Sequence, residues 1–282
     1  LNILSIQSWV AYGHVGNASA VFPLQRLGAE VWAVNTVQFS NHTGYGDWTG
    51  QVFTGAQVSS LVDGIAARGA LERCDAVLSG YMGDAGIGAA IVDAVARVKA
   101  ANPAALYCCD PVLGDDDTGL YVRAGIDVFM RDVALRVADI ATPNRFELEH
   151  LSGLPTRTLA QTKIAIAALQ AMGPRIVLVT SVQVEETPQG CIDMLAAEGD
   201  VVHLLRTPAL PVHVNGAGDA IAALFLFHCL RTGDVAQALA LAGSSIWGLL
   251  RRTAEAGSRE ILTVAAQDEF VQPSRIFDTF PC

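Results

Sequence analysis

Positive charge is scarce in this chain. Its 282 residues carry 18 Lys and Arg against 28 Asp and Glu, a formal net charge of −10, and no basic patch stands out. A binder of phosphate backbones needs the opposite balance, so nucleic acid is not expected as a partner. Small anionic ligands remain open, because local backbone dipoles can oppose the overall charge. Only 16% of residues are charged and 51% are hydrophobic, a balance that argues against disorder. The longest apolar run is too short to span a bilayer, so no membrane segment is expected. The opening residues LNILSIQS lack the basic stretch and long apolar segment of a signal peptide. None of the six cysteines, at 74, 108, 109, 191, 229 and 282, forms a CxxC pair or lies near a His at metal-ligand spacing. Cys108, Cys109 and Cys229 sit in apolar runs, where free Cys behaves as a small core residue. Reduced thiols and a cytoplasmic setting follow as expectations. No Pro/Ser-rich linker or internal repeat divides the chain, which predicts a single domain over residues 1–282. There is no GxxxxGK[ST] loop, no GxGxxG after a strand, no HExxH and no GxSxG.

What is present is alternation. Short apolar runs at 2–6, 30–37, 74–80, 105–110, 139–143 and 175–181 read as strands, each ending in polar or turn-forming residues. Helical patterns lie between them, at 17–28 with Pro23 inside, at 86–101 and at 159–173. This alternation predicts a mainly parallel sheet covered on both faces. After residue 181 the pattern changes to two antiparallel strands joined around Gly199–Asp200, then helices from about Ala217 to Arg231 and from Val235 to Arg252. Ligands of open parallel sheets sit beyond the C-terminal strand ends. Those ends carry Ser8, Ser79–Tyr81, Asp110, Asn144–Glu147 and Thr180–Ser181.

Four constellations could carry chemistry. The segment PVHVNGAGDAIAALFLFHCL (211–230) places Gly216, Gly218 and Asp219 at the start of a helix whose run from Ala220 to Leu230 has one polar side chain, His228. Free N–H groups in a first helical turn attract anions; Asp219 could equally be an ordinary N-cap. In CCDPVLGDDDTG (108–119), Asp110 ends a strand where it could hold a cation or a water, whereas Asp116 and Asp117 read as a solvated acidic turn. Asn144 and Glu147 share a helical face but also form a capping box, which needs no function. Trp9, Tyr12, Phe39, Tyr45, Trp48 and Tyr81 fall near the loop ends and could stack on a flat ligand or cap the core. His14 and His42 read as solvated loop residues; His203, His213 and His228 read as structural.

Taken together, the GxGD helix start, the strand-end Asp-Pro and the Asn-x-x-Glu resemble the ribokinase superfamily. The long opening SIQSWVAYGHVGNASAVFPLQRLGAEVWAVNTVQFSNHTGYG, with LSGYMG, CDPVLGD, TPNRFELEHLSG, VLVTS and NGAGDA, is similar to the pyridoxal kinases within it, over nearly the whole length. The resemblance implies an α/β fold, a ribokinase-like three-layer αβα sandwich with a mostly parallel central sheet. It implies a cytoplasmic homodimer that transfers the ATP γ-phosphate to the 5′-hydroxyl of pyridoxal in vitamin B6 salvage, with Mg²⁺.

Residue by residue, the resemblance makes Asp219 the catalytic base and the backbone of Gly216, Ala217 and Gly218 an anion hole. Ser8 and Thr43 would hydrogen-bond pyridoxal, with Gly44 beside it and Tyr81 lining the pocket. Asp110 and Glu147 would act near Mg²⁺ and the ATP phosphates, Glu147 through water. Thr142, Asn144, Thr180 and the segment Arg206, Thr207, Pro208 and Ala209 would border ATP. Two departures stand out: Ala217 where the family commonly has Thr, and Thr180 where one branch uses Lys. The alternatives are a hydroxymethylpyrimidine kinase of the same fold, or a non-catalytic pyridoxal-phosphate carrier or nucleotide sensor.

Overall fold

The first strand, β1 (Asn2–Val10), is buried without a break from Ile3 to Ser8. A strand apolar on both faces belongs in the middle of a sheet covered on both sides. In the computed structural model, which describes residues 1–282, it does. The other strands are β2 (Glu30–Phe39), β3 (Gly50–Val52), β4 (Ala76–Ser79), β5 (Leu106–Cys109), β6 (Gly114–Asp115), β7 (Gly119–Leu120), β8 (Ile140–Ala141), β9 (Ile176–Val182), β10 (Cys191–Glu198), β11 (Val201–Pro208) and β12 (Thr279–Pro281). Ten of them form one sheet in the order β12-β11-β10-β9-β8-β5-β4-β1-β2-β3, and β6 pairs only with β7. From β9 through β2 every pairing is parallel, while β10, β11, β12 and β3 are added antiparallel at the edges. The expected mainly parallel sheet with an antiparallel pair after residue 181 is borne out.

Ten helices cover the sheet: α1 (Asn17–Arg26), α2 (Gly55–Ala66), α3 (Ala85–Ala101), α4 (Ile126–Phe129), α5 (Leu135–Val137), α6 (Arg145–Ser152), α7 (Leu159–Gln170), α8 (Ala217–Thr232), α9 (Val235–Glu255) and α10 (Asp268–Val271). A π-helical turn, Met130–Ala134, joins α4 to α5. Alternate strand residues feed two cores. Leu4, Val77 and Tyr107 pack with α2, α3, α6 and α7; Ile3, Leu78 and Cys108 pack with α1, α8 and α9. Burial of each large core side chain contributes about 1.5–3 kcal/mol, and α8 is buried at every position from Ala220 to Cys229. The three-layer αβα sandwich is thus in place. No helix is long and apolar enough to cross a membrane.

Several boundaries shift. The first helix stops at Arg26 rather than Gly28, and it runs through the buried Pro23. Helix α2, not among the helices expected from the sequence, starts with a Thr54-x-x-Gln57 capping box that closes in both directions. Strand β12 has only three residues, and its partner β11 decides it. Because β11 runs antiparallel to β10 and β10 antiparallel to β9, the end of β11 returns to the sheet edge where β9 ends. There Arg206 faces the buried Asp193 across the β10–β11 ladder and grips it with two bonds, Nε–Oδ1 at 2.7 Å and a second N–H to Oδ2 at 2.8 Å.

Candidate active site

The site is assembled from the C-terminal ends of β1, β4, β5, β8 and β9 and the first turn of α8. Gly216 is the N-cap of α8, with φ of 86°, and no side chain caps the helix. Asp219 lies inside the first turn, so it is not the N-cap that the sequence also allowed. The first intrahelical bond runs from the Ala220 N–H to the Gly216 carbonyl, at 3.0 Å. The N–H groups ahead of it project from the helix end without an intrahelical partner. Two contacts fix that end: Ser19 Oγ donates to the Gly216 carbonyl at 2.7 Å, and the His14 carbonyl lies where a Gly216 Cβ would be. A Cβ added at Gly218 would meet no other residue within 4 Å, so that side of the first turn is open.

Asp219 is half-buried, and burial pushes its carboxyl up to about 6. The Gly16 backbone N–H, directed at the carboxyl, favours the charged form and limits that rise. Gly16 has φ of 55° and lies against Ser8, where a Cβ would overlap both the Ser8 carbonyl and its hydroxyl. Ser8, Gly16 and Asp219 are therefore neighbours, although 211 sequence positions separate the first from the last. Gly16 lies in the opening stretch of the family resemblance but was assigned no role; only the fold brings it here.

Asp110 and Glu147 stand opposite. Both are almost fully buried, at 5% and 4% exposure. The Thr142 hydroxyl donates to Asp110 Oδ1 at 2.9 Å. Burial, then the charges of Glu147 and Asp219, hold the Asp110 carboxyl well above its ordinary value. Burial lifts Glu147 to about 7, against backbone donors from Leu113, Asn144 and Gly114 that favour its charged form. The capping box is real: Asn144 Oδ1 accepts the Glu147 N–H and Glu147 Oε2 accepts the Asn144 N–H, both at 2.8 Å. It does more than cap, because Glu147 Oε1 also accepts the Leu113 N–H at 2.8 Å and Asn144 Nδ2 donates to the Gly114 carbonyl at 2.8 Å. The helix start thereby holds the loop that follows Asp110. Thr180, mostly buried, bridges Asn144; the next residue, Ser181, is the one non-glycine with positive φ, 55°.

The charges of Glu147 and Asp219 both bear on Asp110, and although no three acidic side chains are gathered into a metal-binding cluster, a hard divalent cation beside Asp110 would relieve that repulsion. Asp110 has lone pairs free for it, whereas both Glu147 oxygens already accept backbone N–H groups. Tyr121, half exposed on the loop after Asp110, feels the same charges. Partial burial, then the charges of Glu147, Asp219 and Asp110, holds its hydroxyl well above the usual tyrosine value. No sequence signal marked it.

Other expectations are corrected. Asp116 is not simply solvated but paired with Arg145, while Asp115 Oδ1 accepts the backbone N–H groups of Asp117 and Thr118. His42 and His14 both hold loops. His42 Nδ1 accepts the Gly44 N–H at 3.1 Å, and burial lowers its basicity, which favours that acceptor role. His14 Nδ1 meets the Ala18 carbonyl and the Thr263 hydroxyl, each at 3.2 Å. The aromatic set divides into pairs, Phe39 with Trp48 at 4.1 Å and Tyr12 with Tyr45 at 6.1 Å. Tyr81 receives the Thr36 hydroxyl on its carbonyl at 2.7 Å. Thr43 and Gly44 form an exposed turn, Thr43–Tyr45, in which a Gly44 Cβ would lie 3.9 Å from the Asn215 side chain. Arg206, Thr207 and Pro208 end β11 and Ala209 follows it, with Arg206 committed to Asp193 and the Pro208 carbonyl bonded to Trp247 Nε1 at 3.0 Å.

Residues 53–264 match the model of the phosphomethylpyrimidine kinase family. Pyridoxal kinase PdxY of Granulibacter bethesdensis is 66% identical over 281 residues, 98% of each chain. The chain belongs to the pyridoxal kinase family. Within that family, pyridoxal kinase PdxY of Pseudomonas aeruginosa is 44% identical over 279 residues, 98% of this chain and 97% of its own. A solved pyridoxal kinase from Leishmania donovani, in complex with ADP and pyridoxamine, aligns with a TM-score of 0.93 at 30% identity, covering 100% of this chain and 99% of that one.

The glycine at the helix start can be tested directly. Gly216→Ala forces a Cβ into the His14 carbonyl and strains a left-handed residue, so it should cost about 1–3 kcal/mol in denaturant unfolding. A neutral result would show that the His14 loop yields easily and does not fix the helix end.

Proposed function

We infer that this protein is an ATP-dependent pyridoxal kinase, which transfers the γ-phosphoryl group of ATP to the 5′-hydroxyl of pyridoxal. The observation that carries phosphoryl transfer is the uncapped start of α8 with Asp219 in its first turn. Full-length identity to the pyridoxal kinases supplies the acceptor. Phosphoryl transfer needs alignment and neutralisation of oxygens more than covalent help. The N–H groups at Gly216, Ala217 and Gly218 hold the transferring group at the positive end of the helix. Asp219 takes the proton as the substrate hydroxyl attacks. Ser8 and Thr43 orient the pyridoxal ring, with Gly44 and Tyr81 beside it. Thr142, Asn144, Thr180 and the segment Arg206 to Ala209 border the nucleotide; Arg206, gripped by Asp193, supplies shape rather than free charge. Ala217 removes a hydroxyl that the family commonly has but leaves the backbone donors. Asp110 would hold Mg²⁺, with Glu147 acting through water. Bound there, the cation would neutralise the phosphate oxygens.

The six unpaired cysteines, four of them buried, fit a reducing compartment, and we place the enzyme in the cytoplasm. Residues 1–282 act as one kinase domain, since a single ten-stranded sheet runs through the chain; limited proteolysis releasing two stable halves would contradict this. The family further supports a homodimer. Sedimentation at micromolar concentration should give about twice the 29.7 kDa chain mass, and a single species at the chain mass would remove that assignment.

Because the family model is that of phosphomethylpyrimidine kinases, hydroxymethylpyrimidine is the rival acceptor. A panel of both alcohols with Mg-ATP, followed by ADP release, should favour pyridoxal. Turnover of the pyrimidine alone would reverse the choice. Tight pyridoxal-phosphate binding without turnover would make the protein a carrier.

Asp219→Asn preserves shape but cannot accept a proton. Its kcat should fall by about 10²–10⁴-fold with nucleotide affinity near wild type. The wild-type kcat/KM should fall as pH drops through about 6, since below that value the Asp219 carboxyl already carries a proton. The raised value also means that folding binds this proton, so the stability it confers at low pH is lost as pH rises through about 6. Above that pH the Asn variant should be at least as stable as wild type. Near-normal kcat in the folded variant would take Asp219 out of the chemistry.

A further inference from the structure

Glu260 belongs to no motif in the sequence. It stands beyond the end of α9, half-buried, and its two carboxylate oxygens serve two different loops. Oε1 accepts the Tyr45 hydroxyl at 2.6 Å, and Oε2 accepts the His14 backbone N–H at 3.2 Å. Gly13 lies so close that a Cβ there would overlap the carboxylate. The Glu260 backbone also bridges Asn215 in parallel. Three loops therefore converge on one residue, and each leads to the active site. The first continues to Gly16, whose N–H faces Asp219. The second contains Thr43 and Gly44. The third runs directly into Gly216.

The middle loop depends most on this contact. No residue of the Thr43–Tyr45 turn is buried, so no core packing holds it. Its internal bond, from the Gly44 N–H to His42, shapes the turn but does not anchor it to the body. Tyr45 is the residue that reaches out. Its hydroxyl is bound by Glu260, its ring lies edge-on to Tyr12, and the Arg259 guanidinium sits 4.6 Å from the ring centroid. A charge-assisted bond of this length is among the stronger contacts available to an exposed loop.

We propose that Glu260 is a positioning residue for the acceptor substrate: through the Tyr45 hydroxyl and the His14 N–H it sets the Thr43–Tyr45 turn against the Asp219 side of the site. This rests on the reading that Thr43 meets pyridoxal. A mere structural staple would change stability or loosen both substrates together. A positioning role acts on one substrate.

Steady-state kinetics of Tyr45→Phe, Glu260→Ala, the double variant and Thr43→Ala decide between these. Tyr45→Phe removes one oxygen and should leave the fold intact even if Glu260→Ala does not fold. Tyr45→Phe should raise the pyridoxal KM about three- to ten-fold, the effect of losing one hydrogen bond, and Glu260→Ala, which also frees the His14 N–H, by at least as much, with the ATP KM changed less than about twofold. The double variant should be no worse than the poorer single, because both changes break the same bond. An unchanged pyridoxal KM in Tyr45→Phe, equal rises in both KM values, or multiplicative effects would overturn the proposal. Thr43→Ala keeps the two readings apart. If it leaves the pyridoxal KM unchanged, the acceptor loop itself is misassigned and the proposal falls with it. If it raises that KM while Tyr45→Phe does not, only the role of Glu260 is lost.

Discussion

An uncapped helix start is the constraint on which the rest of this structure depends. Helix α8 begins at a glycine, with no side chain accepting its first N–H groups. Such an end is costly unless something outside the helix uses it. The helix can keep that end bare because its remaining length is buried from Ala220 to Cys229, so packing rather than capping holds it in place. Around its first turn the fold adds Ser19 on the Gly216 carbonyl and the His14 carbonyl against Gly216, and leaves the Cβ side of Gly218 open.

The acidic side of the site balances this positive end. Asp219, Asp110 and Glu147 all have raised values, and burial is the leading cause in each. Asp110 feels the charges of both Glu147 and Asp219, and each of these carboxylates would sit more easily in water. The positive end of the α8 dipole supplies the opposite charge. Glu147 illustrates how structure and chemistry share one residue, since it closes the cap of α6 and at the same time ties down the Leu113–Gly114 backbone.

The two groups of candidate residues are built differently. Asp110, Thr142 and Thr180 lie at or just past strand ends, where backbone bonds to Ser79, Cys109 and Pro143 fix them. Thr43 and Gly44 lie on an exposed turn tied to the body by the Tyr45–Glu260 bond, 215 positions apart.

Much of the architecture was legible in the chain itself. The period of the apolar runs marked the parallel strands, the change after residue 181 marked the antiparallel pair, and NGAGDA marked the start of α8. These signals are local, because strand alternation and helix starts are written within a few residues. The same locality hid the rest. Asp219 as cap or base could not be separated by sequence, since both uses call for an acid near a helix start; the position of Gly216 as the N-cap excludes the first use. The resemblance places Arg206 on the ATP side, and only β10 shows that Asp193 lies directly across from it. Gly16, Tyr121 and Glu260 were given no role by sequence, because each matters through a partner far along the chain. The sequence by itself determined the elements and the chemistry of their ends. Only the tertiary structure decided which ends meet, because contacts between residues 14, 45 and 260 arise from the packing of whole helices and not from any local pattern.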